Sequence, residues 1–126
     1  MRYSTLGSAN TREAMSYSRG DVVWLRIDNL EGGVGRLHPA IVVSSDSFND
    51  THAWGVVIRG TSRVPQQIED DQFLVAATPE NGLDRDTLFL PIIQSTVWSR
   101  ITKCVGKLPP HQLRQVMERV SAILAP

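Results

Sequence analysis

This chain has one cysteine, Cys104. A lone thiol closes no intrachain disulfide, and multi-cysteine zinc sites are excluded with it. The 3 histidines, His38, His52 and His111, share no metal-ligand spacing with one another or with Cys104, so neither a metal nor a cofactor is expected. The "IEDD" run at 68–71 is the densest acidic cluster, and an exposed loop accounts for it. Long apolar runs are also missing. None approaches the roughly 18 residues that a membrane-spanning helix needs. The opening "MRYSTLGSANTREAMSYS" has no apolar signal core. Residues 1–18 are therefore expected to form a disordered leader, or to lie upstream of a second start at Met15. A cytoplasmic protein without a membrane partner is the expectation. Net charge is absent too, with 13 Lys and Arg against 13 Asp and Glu, so bulk electrostatics do not draw the chain to nucleic acid. The balance hides a split. Residues 64–98 carry Glu69, Asp70, Asp71, Glu80, Asp84 and Asp86 against Arg85, whereas 99–126 carry Arg100, Lys103, Lys107, Arg114 and Arg119 against Glu118. Any nucleic-acid contact must come from locally placed loops. No phosphate-binding glycine loop is present, because "EGGVGR" leads into a strand rather than a helix. Ser44 and Ser45 close a strand and have nothing to activate them as nucleophiles.

What is present suits one domain: 126 residues and 41% hydrophobic content. "DVVWLRI" (21–27), "AIVVSS" (40–45), "AWGVVIRG" (53–60), "QFLVAA" (72–77), "DTLFLPII" (86–93) and "TKCVGKL" (102–108) read as short strands. Turn-forming "DSFNDTH" and "TPENGLDR" separate some of them. Pro91 inside the fifth run predicts an edge or a bulge. Cys104 is expected as a core thiol, Trp24 and Trp54 as core or interface residues, and Trp98 as packed or as a stacking surface in a loop. His52 and His111 are expected at the surface. Leu113, Val116, Met117, Val120, Ile123 and Leu124 recur at intervals of three and four, so 109–124 is a helix with one apolar stripe, opened by Pro109 and Pro110. The fold class is mainly β, a small barrel with a C-terminal helix packed on it.

Two loops carry candidate chemistry. "GRLHP" opens the second strand and "IRGTSR" closes the third. In an antiparallel meander the start of one strand and the end of the next share a sheet edge. Arg36, His38, Arg59, Thr61, Ser62 and Arg63 can therefore meet, offering charge and hydroxyls for a phosphate and an imidazole that titrates near neutrality. The alternative is a polar rim whose arginines pair with Asp28, Glu31 or Asp50.

The ordered series "RGDVVWLRID" (19–28), "HPAIVVSSDSFN" (38–49), "VVIRGTSR" (56–63) and "STVWSRITKCVGKLPPHQLRQVMERVSAIL" (95–124) resembles the MazF/PemK family of toxin ribonucleases. The resemblance covers 19–124 and implies a domain over 19–126 with a small SH3-like barrel of the CcdB/PemK type. It also implies a homodimer, a cognate antitoxin whose partly acidic tail lies over the RNA groove, and growth inhibition. The implied reaction is metal-independent cleavage of single-stranded RNA. The 2′-hydroxyl attacks the adjacent phosphate and leaves a 2′,3′-cyclic phosphate and a 5′-hydroxyl.

By the same resemblance Thr61 stands at the family's catalytic threonine. His38 stands where cleaving members usually carry arginine before the proline, with Arg36 two residues earlier. Where the family often shows Asp-Gln-x-Arg-Thr, this chain reads Ile92, Ile93, Gln94, Ser95, Thr96. Two readings follow. In one, the protein is a ribonuclease with His38, Thr61 and Arg36 catalytic and Arg59, Ser62 and Arg63 binding substrate. In the other, the barrel is kept for binding an antitoxin, RNA, or a protein target of the kind CcdB toxins take.

Overall fold

A computed structural model describes residues 16–27 and 35–126. Of the expected leader over 1–18, residues 1–15 lie outside the described residues, as do 28–34 of the glycine-rich loop; Tyr17 and Ser18 are instead tied to the domain, Tyr17 against Trp98 and Ser18 N–H on Asp21. Within them the order is β1 (Asp21–Ile27), β2 (Arg36–Val42), α1 (Asp46–Thr51), β3 (Trp54–Thr61), β4 (Phe73–Val75), β5 (Thr87–Val97), a 3₁₀ turn (Trp98–Arg100), β6 (Ile101–Lys107) and α2 (Pro110–Leu124). The strands form a six-stranded sheet in the order β4-β5-β3-β2-β1-β6. This is the mainly-β architecture with a closing helix that the sequence predicts.

The sheet is apolar on both faces because it curls. Alternate residues of β1 point opposite ways, as the period of two requires. Val22 joins Ile41, Ile58 and Phe89 under α2, whose Val116 and Val120 complete that cluster. Val23 and Leu25 join Ala40, Val42, Val57, Trp98 and Ile101 on the other side. Trp98 is a core residue, 7% exposed. Its indole N–H donates to the His52 carbonyl at 3.0 Å, and its ring lies edge-on to Tyr17.

Several boundaries differ from the sequence reading, each for a local reason. β2 starts at Arg36 rather than at 40, because Arg36, Leu37, His38 and Pro39 pair with Ile27, Arg26, Leu25 and Trp24 of β1. The expected turn at 46–51 is the short helix α1, capped by the Ser45 hydroxyl, which accepts from the Phe48 N–H at 3.2 Å. Asn49 is fully buried there, donating to the carbonyls of Tyr17 at 2.8 Å and Ser44 at 3.1 Å. The Ser44 hydroxyl in turn donates to Asn49 Oδ1 at 2.6 Å, which gives it a structural role. β5 runs on to Val97 because Gln94–Val97 pair with Trp54–Val57. Pro91 sits at a bulge: the β3–β5 register shifts between Ile58↔Ile93 and Gly60↔Phe89. Cys104 is exposed rather than in the core, because β6 is the edge of the sheet and most of its residues face outward.

The connection 76–86 is pinned to that same edge strand. Asn81, 1% exposed, donates to the Ala76 carbonyl at 2.8 Å and accepts from Thr78 N–H at 3.1 Å and Leu83 N–H at 3.0 Å. Gly82 has φ +71°, and a Cβ there would lie 2.0 Å from the Val105 carbonyl oxygen. Only glycine meets both conditions, and the result carries residues 83–87 back toward the start of β2.

Candidate functional site

The site begins at a break in the sheet. β2 pairs with β3 at Val42↔Val57, Ile41↔Ile58 and Ala40↔Arg59, and the ladder stops there. The next residue of β2 is Pro39, which has no N–H to donate. Continuing the register would set Pro39 opposite Gly60 and His38 opposite Thr61. Unlaced, the two strands flank an open cleft of about 290 Å³.

Arg36 and His38 from β2 line the cleft, as do Thr61, Ser62 and Arg63 from the end of β3. Of the residues singled out in the sequence, Arg59 is not in the wall. It stands on the His38 side of the sheet, and its charge acts on that imidazole. His38 is held below its ordinary pKa of 6.5, first by partial burial, then by the guanidinium of Arg59, then by that of Arg36. An imidazole held below 6.5 is largely neutral near pH 7 and so is able to accept a proton. The Thr61 hydroxyl oxygen accepts from the Arg63 N–H at 3.1 Å, which leaves its own proton to donate. Among the described residues, Arg36, Arg59, Arg63 and Arg85 form no ion pair through their guanidinium groups. Asp50, one of the carboxylates offered as a local partner, lies at α1 and accepts from the Ser16 hydroxyl at 3.2 Å. Asp28 and Glu31 lie outside the described residues. Unpaired guanidinium groups around a neutral imidazole make a site for a polyanion.

The cleft also has walls that the sequence did not announce. Trp24 of β1 lines it, together with Asp84, Arg85 and Thr87 from the connection into β5. The Thr87 hydroxyl donates to the Arg85 carbonyl at 2.9 Å, fixing that corner. The available signal was Gly82, whose left-handed backbone turns "LDRDT" toward β2. Finding it requires knowing that residue 82 packs on residue 105. Gln94 and Ser95 do not reach the cleft. They line a separate hollow of about 260 Å³ with Arg26 and Thr96, and Ile92 is 38% exposed. Among the described residues no cluster of three or more His, Cys, Asp or Glu side chains is placed to hold a metal ion.

The chain has known relatives by family and by fold. Residues 18–124 match the family described as PemK-like, MazF-like toxin of type II toxin-antitoxin system. No curated protein matches in sequence. Among solved structures, MazF from Deinococcus radiodurans superposes with a TM-score of 0.70 at 21% identity, covering 87% of this chain and 97% of that one. An endoribonuclease in complex with its cognate antitoxin from a mycobacterial species gives 0.66 at 19% identity, covering 86% and 95%. The Mycobacterium tuberculosis toxin MazF-mt6 gives 0.66 at 13% identity, covering 82% and 95%. The curled six-stranded sheet with its C-terminal helix is the fold of these proteins. The chain belongs to the PemK-like, MazF-like toxins of type II toxin–antitoxin systems.

Proposed function

We propose that this toxin is an endoribonuclease that cleaves single-stranded RNA without a metal, leaving 2′,3′-cyclic phosphate and 5′-hydroxyl ends. The observation that carries the reading is the cleft itself: a neutral imidazole and a threonine hydroxyl beside guanidinium groups that have no carboxylate partner among the described residues. His38 takes the proton of the 2′-hydroxyl as its oxygen attacks the neighbouring phosphorus. Charge gathers on the non-bridging oxygens, where Arg36, Arg63 and the Thr61 hydroxyl donate hydrogen bonds, with Ser62 contributing to substrate binding and Arg59, outside the wall, acting through the imidazole. The bond from phosphorus to the 5′ oxygen breaks, and that oxygen takes a proton from solvent or from the imidazolium. Base and charge stabilisation are both supplied by side chains, so the step calls on no metal.

A cognate antitoxin, a homodimeric assembly and a cytoplasmic location belong to the same reading. Two of the similar solved structures are a toxin–antitoxin complex from a mycobacterial species and the MazE–MazF complex of Deinococcus radiodurans. No helix among the described residues is long and apolar enough to cross a membrane.

The test is incubation of the purified protein with a long mixed-sequence RNA in EDTA, followed by mapping of fragment ends. Discrete fragments with 5′-hydroxyl ends are expected, reduced about 10²- to 10⁴-fold in His38→Ala, the usual contribution of a positioned acid–base group. Thr61→Ala should also lose orders of magnitude with the fold intact. Ile92 and Ser95 stand where the family often has its acid and arginine, which favours the second reading, a barrel retained for binding. A folded protein that cuts none of the RNA, or variants that cut like the wild type, would establish that reading instead.

A further inference from the structure

The cleft does not end at Trp24. A second hollow, of about 400 Å³, adjoins it and is also walled by Trp24, Leu37 and Asp84, ending at Thr102 and Lys103 on β6. The two share these three residues, and their linings together run from β3 through β2 and β1 to β6. The register explains this course. Trp24 pairs with Pro39 on one side and with Lys103 on the other, so these residues form a row across neighbouring strands. Two strand spacings separate its ends, about 10 Å.

The chemistry of the second lobe differs from that of the first. Trp24 is only partly buried, and its indole N–H has no hydrogen-bond partner among the described residues. The Lys103 ammonium and the Asp84 carboxylate are likewise unpartnered among them. A carboxylate facing a groove otherwise built for phosphates repels the ligand unless it accepts hydrogen bonds from it. Asp84 lines both lobes, whereas His38 lines only the first.

We infer that Trp24 and Asp84 form a nucleobase subsite beside the reacting phosphate. In it the indole stacks on the base, the carboxylate accepts from an exocyclic amino group, and Lys103 meets the phosphate beyond. This rests on the ribonuclease reading and adds what that reading lacks, a source of sequence preference. Stacking on an aromatic ring tolerates every base, whereas the carboxylate does not. Adenine, cytosine and guanine carry an amino group for it. Uracil presents a carbonyl there and is rejected.

The measurement is binding, kept separate from cleavage. Fluorescently labelled, uncleavable 2′-O-methyl octamers of A, of C and of U are titrated with the wild-type protein and followed by anisotropy. The A and C octamers are expected to bind about ten- to a hundredfold more tightly than U. Trp24→Ala should weaken all three about ten- to a hundredfold, and Trp24→Phe should recover part of the loss. Asp84→Asn, whose amide both donates and accepts, should erase the preference against U while leaving binding of the A octamer within a few-fold. Circular dichroism of each variant verifies the fold. If the wild type binds all three octamers alike and Trp24→Phe and Asp84→Asn change nothing, the subsite is refuted while the ribonuclease reading stands. If the wild type binds no octamer at all and cuts no RNA, both fall together.

Discussion

Gly82 holds the connection that carries Asp84 and Arg85 into the cleft wall, and its substitution tests how the site is built. The residue is left-handed at φ +71°, and a Cβ would sit 2.0 Å from the Val105 carbonyl oxygen and 2.6 Å from its carbon. Alanine at a left-handed position costs about 1–2 kcal/mol. The overlap is with backbone, which has no rotamer to escape into, so the 76–86 connection must lift from β6. Lifting it breaks the hydrogen bond from Lys107 N–H to the Glu80 carbonyl at 3.2 Å, worth about 1 kcal/mol net. Gly82→Ala should therefore cost about 2–3 kcal/mol, read as a lower urea midpoint at unchanged slope by far-ultraviolet circular dichroism. Gly82→Asn separates the two causes. Asparagine tolerates the left-handed region but keeps the Cβ, so it should recover the conformational part and retain the loss from contact. Binding and cleavage should fall in both variants below their unfolding midpoints, because Asp84 and Arg85 ride on this connection. A Gly82→Ala protein destabilised by less than about 0.5 kcal/mol, with cleavage intact, would show that the close approach to Val105 does not hold the wall in place.

The other expectations concern the imidazole, its neighbours and the core. On the proposed mechanism, with the neutral imidazole as the active form, cleavage by the wild type should rise with pH along a limb lying below 6.5, since burial, Arg59 and Arg36 all disfavour the cation. Removing one of those charges in Arg59→Met lets the proton bind more readily, so the limb should move to higher pH; a shift to lower pH contradicts the assignment. His38→Arg should abolish that limb, because guanidinium does not titrate in the range; a protein that still shows it has another base. Phe89, 1% exposed beneath α2, should cost about 3–5 kcal/mol as Phe89→Ala in thermal or urea unfolding. Asn49→Ala leaves the Tyr17 and Ser44 carbonyls without their donor and should cost about 1–3 kcal/mol in the same assay.

What the sequence made legible follows from the range of the interactions involved. β1 and β3 show themselves as β-branched runs, and α2 as apolar residues at three and four, because each pattern is local. α1 is only six residues long, too short to show an apolar period, and its one signal was Ser45 at the cap. The first residues of β2 were hidden because Arg, His and Pro do not look like a strand until β1 is there to pair with them. Cys104 looked like core because the sequence cannot tell an edge strand from a central one. The site divides the same way. Arg36, His38, Thr61, Ser62 and Arg63 were found together because antiparallel neighbours share an edge. Asp84 and Arg85 were not, because their place depends on residue 82 meeting residue 105, and Trp24 was not, because its β1 position beside Pro39 shows only once the strands pair.

Pro39 links the two halves of that account and explains why an arginine and an imidazole stand in front of a buried strand. A proline within a sheet normally marks an edge, because the ladder loses a donor. Here it lies in a strand with neighbours on both sides. The loss falls on the β3 side, where pairing stops at Ala40↔Arg59. On the β1 side pairing continues through Pro39 and His38 to Arg36. The backbone of "RLHP" is thus anchored along one edge and open along the other, and its side chains need not be apolar to be held. That separates the scaffold from the chemistry. The cleft is created by a missing N–H at 39 and a close approach at 82, neither of which involves the residue at 38. The residue at 38 can consequently change without altering the cleft. On the proposed mechanism the residue at 38 then acts as a base, kept neutral by burial and by Arg59 and Arg36, and the phosphate falls to the surrounding guanidinium groups.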